Sequence, residues 1–355
     1  MKRLSVIVPG YNTRKEWWVR CVRSVAAALG PEDQVICVDD GSRETVDGAW
    51  FEVRAGGPEV KVVRHEKNLG LPSARNTGLD AAADSQYVTF VDSDDEVREE
   101  TYERCLRRLE ETGADIAVYG LQSYYLDFGW TIRDNPGDVD YGALTPADVA
   151  GLVRQRMFYY MWNKVFRRSF LEAHDLWVDV EGVPCEDAIF NVSCVVHGAK
   201  WVTVGYCGYQ YYRYDGSLLS SYKPTLVQGL RKCNAAWKAY KDATPGAYEA
   251  LGAYDERSEQ EIAREQWMNI WRRGSLYTLR QKWRWLQANY EILLALPSSA
   301  FALRLRLLSS FTKQAVKMWI RNHLYIAPIR RRHQMNFLKS IGAEIEQLEE
   351  DDEAI

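Results

Sequence analysis

Four short, almost unbroken apolar runs constrain the first hundred residues: LSVIVP (4–9), QVICVDD (34–40), VKVVRH (60–65) and YVTFVDSDD (87–95). β-branched residues dominate them and none alternates strictly, which is the pattern of strands covered on both faces. Between them, EWWVRCVRSVAAALG and LPSARNTGLDAAADS have helical character, and the small residues of the second permit close packing on a sheet. Strand and helix in alternation predict an α/β fold with a mostly parallel sheet flanked by helices. Ligands of such sheets bind beyond the carboxyl ends of the strands. Three of the runs end there in polar clusters: Pro9-Gly10-Tyr11-Asn12, Asp39-Asp40-Gly41-Ser42 and Asp92-Ser93-Asp94-Asp95.

Residues 101–222 read as mixed. DIAVYGLQSYYLDFGW has strand character, TPADVAGLVRQRMF is a helix capped by Thr145 with Pro146 at its first position, and WVTVGYCGYQYYRY reads as another pair of strands. From about residue 223 the chain turns to helical stretches rich in Trp, Arg, Leu and Ala, broken at Pro224, Pro245, Pro297 and Pro328. The expected division is therefore 1–100, 101–222 and a C-terminal helical region, 223–355.

At 355 residues the chain suits two or three such units. A net charge of −4 excludes a nucleic-acid binder that relies on a strong basic field. Seven cysteines, scattered and without a C-x-x-C pair, fit reduced thiols and a cytoplasmic setting. No apolar run reaches the length of a membrane span, and the run after Lys2 and Arg3 is too short for a signal-peptide core. Residues 301–340 carry nine Lys or Arg and no acid, whereas 344–353 carry seven acids. Two readings of the basic stretch stand open: a helix lying on the anionic inner face of a membrane, or a helix packed on the rest of the protein with its charges in water. The acidic end reads as a solvated tail.

The strand-end clusters carry the chemistry. Asp92 and Asp94, two positions apart where the chain turns, can aim at one divalent cation without closing a cage, which suits Mg²⁺ or Mn²⁺ with substrate phosphates. A solvated acidic turn is the commoner fate of D-x-D, and only its place beside the other two clusters raises it. Asp40 can accept a hydrogen bond from a ribose hydroxyl or a base N–H, or cap a helix. Tyr11 offers a flat face to a base or covers the sheet edge. Arg75, about a turn and a half into the second helix, suits a forked contact to phosphate or base. Neither G-x-G-x-x-G nor G-x-x-x-x-G-K-[ST] is present, so a dinucleotide fingerprint and an ordinary P-loop are excluded.

LSVIVPGYN, VICVDDGS, HEKNLGLPSARNTGL, YVTFVDSDD, WNKVFRRSFL and CEDAIFN occur in an order and spacing that resemble family 2 glycosyltransferases of the GT-A fold, over roughly residues 3–222. That resemblance implies a nucleotide-diphosphate-sugar donor, UDP-linked, a divalent metal (Mn²⁺ or Mg²⁺) and inversion at the anomeric carbon. It places Pro9, Tyr11, Asn12, Asp40, Asn68, Arg75, Asp92 and Ser93 at the donor, Asp94 with Asp92 at the metal, and Asp187 as catalytic base with Glu186 beside it. It sets Trp162, Asn163 and Lys164 near the acceptor or the donor sugar, with core packing an equal reading for Trp162. Arg213 would reach the diphosphate or pair with a surface acid. The implied acceptor is a glycan or a lipid-linked glycan of surface polysaccharide synthesis, with the enzyme cytoplasmic and peripheral to the membrane.

The roles agree with what an inverting transfer requires. One carboxylate takes the acceptor's proton, and a metal stabilises the departing diphosphate. Asp187 opens the helical run AIFNVSCVV, whose positive end attracts its charge, although acids at a helix start are common without any catalytic duty. A silent binding protein on the same fold would need neither Asp94 nor Asp187. A sugar nucleotidyltransferase would want a Gly-rich basic loop where this chain has PGYNTRKE.

Overall fold

The computed structural model describes residues 1–288, apart from 127–128, 182, 214–221, 253–256, 258, 271, 273–274 and 276, together with 345–347. The basic stretch 301–340, most of the acidic tail and the end of the segment 209–221 lie outside the described residues.

The predicted parallel half is present. It comprises β1 (Lys2–Gly10), α1 (Lys15–Ala27), β2 (Gln34–Asp39), β3 (Glu59–Arg64), α2 (Leu71–Ala81) and β4 (Ser85–Phe90). Its strands lie in the order β3-β2-β1-β4, all parallel. Pairing of β1 with β4 ends at Ile7 and Phe90, whereas pairing with β2 continues to Gly10 and Asp39. Pro9 thus falls past the last β4 pair, where its missing N–H leaves no gap in that ladder.

The second half is mixed. After β5 (Glu96–Val97) and α3 (Thr101–Thr112) come β6 (Ile116–Tyr125), β7 (Trp130–Asp134), β8 (Val139–Ala143), α4 (Pro146–Arg154), β9 (Lys164–Arg167), α5 (Arg168–Ala173), α6 (Glu186–Val196) and β10 (Lys200–Arg213). Strand β9 is antiparallel to both β4 and β6 and so joins the halves into one sheet. The expected pair of strands in WVTVGYCGYQYYRY is instead the single strand β10, parallel to β6, with register shifts between Val204 and Cys207 and again before Tyr209. These bulges absorb the extra residues that read as a turn. Helix α4 starts as predicted: Thr145 Oγ1 accepts from Asp148 N–H, and the Asp148 carboxylate accepts from Thr145 N–H at 2.9 Å.

Beyond residue 222 lie α7 (Leu226–Ala243), α8 (Ala247–Leu251), α9 (Glu259–Asn269) and α10 (Leu279–Ala288). Cys233, Trp237 and Tyr240 of α7 belong to the same buried core as the sheet, and Trp237 meets Phe158 at 5.3 Å between ring centroids. A short strand, Ile345–Gln347, runs antiparallel to β7. No described helix is long and apolar enough to cross a membrane.

The close packing expected of α2 is visible at Gly78, where an added Cβ would overlap Ile7 Cγ2 of the central strand. Gly78→Ala gains about 1 kcal/mol of helix propensity. Overpacking against a fully buried β-branched side chain costs about 1–3 kcal/mol. Because Ile7 has no room to move, urea unfolding should show a net loss of about 1–2 kcal/mol in the variant.

Candidate active site

The ends of β1, β2 and β4 are tied to one another before any ligand is considered. Asp40 N–H donates to Gly10 O at 2.9 Å, Asn12 N–H to Ser42 Oγ at 2.9 Å, and Arg43 N–H to Asn12 Oδ1 at 3.0 Å. Asn12 has φ 52°, a left-handed conformation that Asn tolerates better than most residues. A Cβ on Gly10 would overlap the Trp18 ring and lie 2.7 Å from Ser93 Oγ, so only glycine lets β1 approach the acidic turn this closely. Ser93 Oγ in turn shares a 2.7 Å hydrogen bond with Thr13 Oγ1. Above this floor Tyr11 stands 48 % exposed, a ring face open to a planar ligand.

Both acids of Asp39-Asp40 are buried and engaged. Asp39 accepts from Ser42 and Val46 N–H and pairs with Arg64. Burial opposes its charge, yet these bonds and Arg64 hold its pKa below the usual value. Asp40 accepts from Leu69 N–H and Gly70 N–H, each at 2.8 Å, and meets His65 Nδ1 at 2.7 Å, while His65 Nε2 meets Thr77 Oγ1. It therefore fastens the turn that enters α2 instead of capping the run that follows it. Asn68 is exposed in that same turn, its Oδ1 accepting from Gly70 N–H at 2.9 Å. Arg64 and His65 escaped the sequence reading. The signal was present, since both directly follow the apolar part of the third run.

The acidic turn divides by depth. Asp95 is buried beneath it, accepting from Tyr209 OH at 2.9 Å and Tyr212 N–H at 2.8 Å, and burial with the charges of Asp94 and Asp92 pushes its pKa well up. Asp92 and Asp94 are half-buried above it. From behind, Arg20 of α1 donates to Asp94 O at 2.7 Å and pairs with Glu96 at 3.0 Å. Glu96 thus lies in β5 and braces the turn, and Glu100 directly precedes α3. The Asp92 carboxyl is pushed up to about 6, mainly by burial, with Arg75 opposing and Asp94 and Asp187 reinforcing.

Arg75 is the centre of the site. Its side chain is buried, with Nη1 donating to Asp187 Oδ1 and, at 3.4 Å, to Glu186 Oε1, while Nη2 donates to Asp92 Oδ1 at 3.3 Å. One guanidinium therefore joins the turn after β4 to the start of α6. Burial works against its charge, but Asp187, Asp92 and Glu186 together keep its pKa above the ordinary arginine value. Glu186 is also buried, and burial followed by the Asp187 charge lifts it to about 7, against the pull of Arg75. The second Asp187 oxygen accepts from Met161 N–H at 3.3 Å. This carboxylate is held by two donors yet remains partly exposed.

The WNK segment faces inward. Trp162 is 4 % exposed and stacks between Tyr209 at 4.0 Å and Tyr160 at 4.3 Å, so its packing reading is the one realised here. Asn163 and Lys164 are fully buried. Lys164 Nζ donates to the carbonyls of Met157, Phe158 and Tyr160 and to Asn163 Oδ1, which fixes the turn whose Met161 N–H holds Asp187. Neither residue reaches solvent in this structure. Arg213 likewise meets no surface acid among the described residues; Nη1 donates to Tyr125 OH at 2.6 Å.

Residues 5–174 match the family model described as glycosyl transferase family 2. The chain is 28 % identical to the putative glycosyltransferase EpsH of Bacillus subtilis (strain 168), over 66 % of this chain and 68 % of that protein. It is 28 % identical to the succinoglycan biosynthesis protein ExoO of Rhizobium meliloti (strain 1021), over 61 % of this chain and 62 % of that one. Among solved structures, S. aureus TarS 1–349 in complex with UDP-GlcNAc superposes with a TM-score of 0.53 at 19 % identity, covering 85 % of this chain and 83 % of that chain. That likeness bears on the fold alone. The chain is a glycosyltransferase with a GT-A fold, and its residues 5–174 are those of glycosyl transferase family 2.

Proposed function

We propose that this enzyme transfers a sugar, with inversion, from a UDP-linked donor to a hydroxyl of a glycan or lipid-linked acceptor in surface polysaccharide synthesis, with Asp187 as general base and a divalent cation on Asp94 and Asp92. The observation that carries the reading is the convergence on Arg75. The acid turn at a strand's carboxyl end and the acid at the start of α6 meet on one buried guanidinium, so donor-side and base-side carboxylates share a single site. The names of ExoO and of the TarS complex support the polysaccharide and UDP-sugar assignments.

In this mechanism the base of UDP rests against Tyr11, the exposed ring above the β1–β2 floor. The acceptor oxygen attacks the anomeric carbon from the face opposite the leaving diphosphate, and its proton passes to Asp187. Arg75 and Met161 N–H hold that carboxylate in one orientation as it accepts the proton.

The metal assignment rests on donor chemistry. Asp92 and Asp94 supply hard oxygen ligands, and a cation between them would offset both the burial that chiefly raises Asp92 and the smaller repulsion from Asp94. Among the described residues no group of three or more His, Cys, Asp or Glu side chains is arranged to hold a metal ion. Two carboxylates alone leave coordination positions for donor phosphates. When bound there, Mg²⁺ or Mn²⁺ would supply Lewis-acid stabilisation of the departing diphosphate.

Asp94→Ala should weaken Mn²⁺-dependent binding of UDP-sugars by roughly 10-fold or more, the scale of losing one charged ligand. Calorimetric titration of a nucleotide-sugar panel with and without Mn²⁺ checks this. Equal affinity of wild type and variant in both conditions would refute the metal role of Asp94.

A further inference from the structure

We infer that the acceptor of this enzyme is an anionic glycan, one bearing a phosphate or carboxylate, whose charge is read by Arg213 at the far end of a row of aromatic rings that begins at the catalytic carboxylates. The inference deepens the proposed transfer and rests on it.

The row is continuous. Tyr209 OH accepts from Asp92 N–H at 3.1 Å, and its ring stacks on Trp162 at 4.0 Å. Trp162 meets Tyr160 at 4.3 Å and Tyr211 at 5.3 Å, and Met161, between Tyr160 and Trp162, donates to Asp187. The Arg213 guanidinium then lies 5.4 Å from the centre of the Tyr211 ring and 5.0 Å from that of Tyr125. Tyr209 and Trp162 are buried, whereas Tyr160 and Tyr211 are half-buried, so these two leave part of their surface for the C–H face of a sugar.

What marks Arg213 is its charge balance. It is half-buried, and among the described residues it has no carboxylate partner: its ligands are one phenol oxygen and two ring faces. Arg156, whose charge also acts on Tyr160, is neutralised by Asp134 at 2.5 Å. Among the described residues the half-buried Arg213 guanidinium thus has ring faces and a phenol oxygen but no carboxylate, and a forked cation in that setting suits an acidic substituent.

The test is binding of the full chain to paired oligosaccharides that differ only by a uronate or phosphate group, with UDP affinity measured on the same samples. Wild type should hold acidic members at least about tenfold more tightly than their neutral partners, and Arg213→Ala should erase that difference while UDP affinity stays within about twofold. Arg213→Lys, which keeps the charge but loses the fork, should retain part of the preference and guards against misfolding of the alanine variant. Arg231→Ala, which removes an exposed cation paired with Glu259, should leave the preference intact. Equal binding of acidic and neutral glycans by wild type, or a preference that survives Arg213→Ala, would overturn the proposal while leaving the transferase reading in place. Loss of UDP binding in Arg213→Ala would also overturn it, by moving Arg213 to the donor. Absence of UDP binding in wild type would fell the proposed donor and this inference with it.

Discussion

Asp187→Asn should lower the transfer rate by roughly 10²–10⁴-fold, the usual worth of a positioned general base, while UDP and Mn²⁺ affinities change little. The geometry explains why binding survives. Asp187 has one oxygen on Arg75 and the other on Met161 N–H, and neither partner belongs to the acid turn of Asp92 and Asp94. Asn fills the same space and retains one acceptor oxygen, but it cannot accept from both donors at once, and it removes one charge from Arg75. Glu186 and Asp92 still face that guanidinium, so the fold loses far less than the chemistry does. Single-turnover transfer from UDP-sugar with Mn²⁺, alongside UDP titration and thermal unfolding, separates the effects. A variant that transfers at close to the wild-type rate would remove Asp187 from the base position. One that fails to bind UDP would place it at the donor.

What could be read from the chain alone follows from how local each signal is. The strands β1 to β4 were legible because β-branched apolar runs flanked by helical stretches leave few other folds open, and a parallel sheet then dictates where its site lies. Thr145-Pro146 and Asp148 announced α4 within four residues. The partners of Arg75 were not legible, because Glu186 and Asp187 are more than a hundred positions away, and nothing in PSARNTG indicates which acid its fork will meet. The burial of Lys164 was not legible either, because the turn at 157–160 points three carbonyls inward and the ammonium that answers them gives no local sign of it. The bulges of β10 were hidden as well, since a glycine in a strand run looks like a turn until its partner β6 is known.

Arg75→Met should be the most destabilising single change at the site, by about 3–5 kcal/mol near neutral pH, the scale for removing one partner from a buried charge cluster. Methionine fills most of the volume, so the loss reflects charge more than packing. It leaves Glu186 buried beside Asp187 with no counter-ion, and the deficit should therefore depend on pH with a defined sign. Glu186 already has its folded pKa raised to about 7, above the unfolded value of about 4.5. Its folded form binds protons more tightly than its unfolded form, so its contribution to stability is present at low pH and declines as pH rises toward 7. Without Arg75 that pKa moves higher and the decline extends past neutrality. Urea unfolding at pH 5 and pH 8 should accordingly show a smaller gap between variant and wild type at pH 5, where the acid is protonated, and the full gap at pH 8. A gap of equal size at both values would mean that Arg75 acts through packing alone. The buried guanidinium would then be a structural strut between the two halves of the sheet, with no electrostatic part in holding the carboxylates of the site.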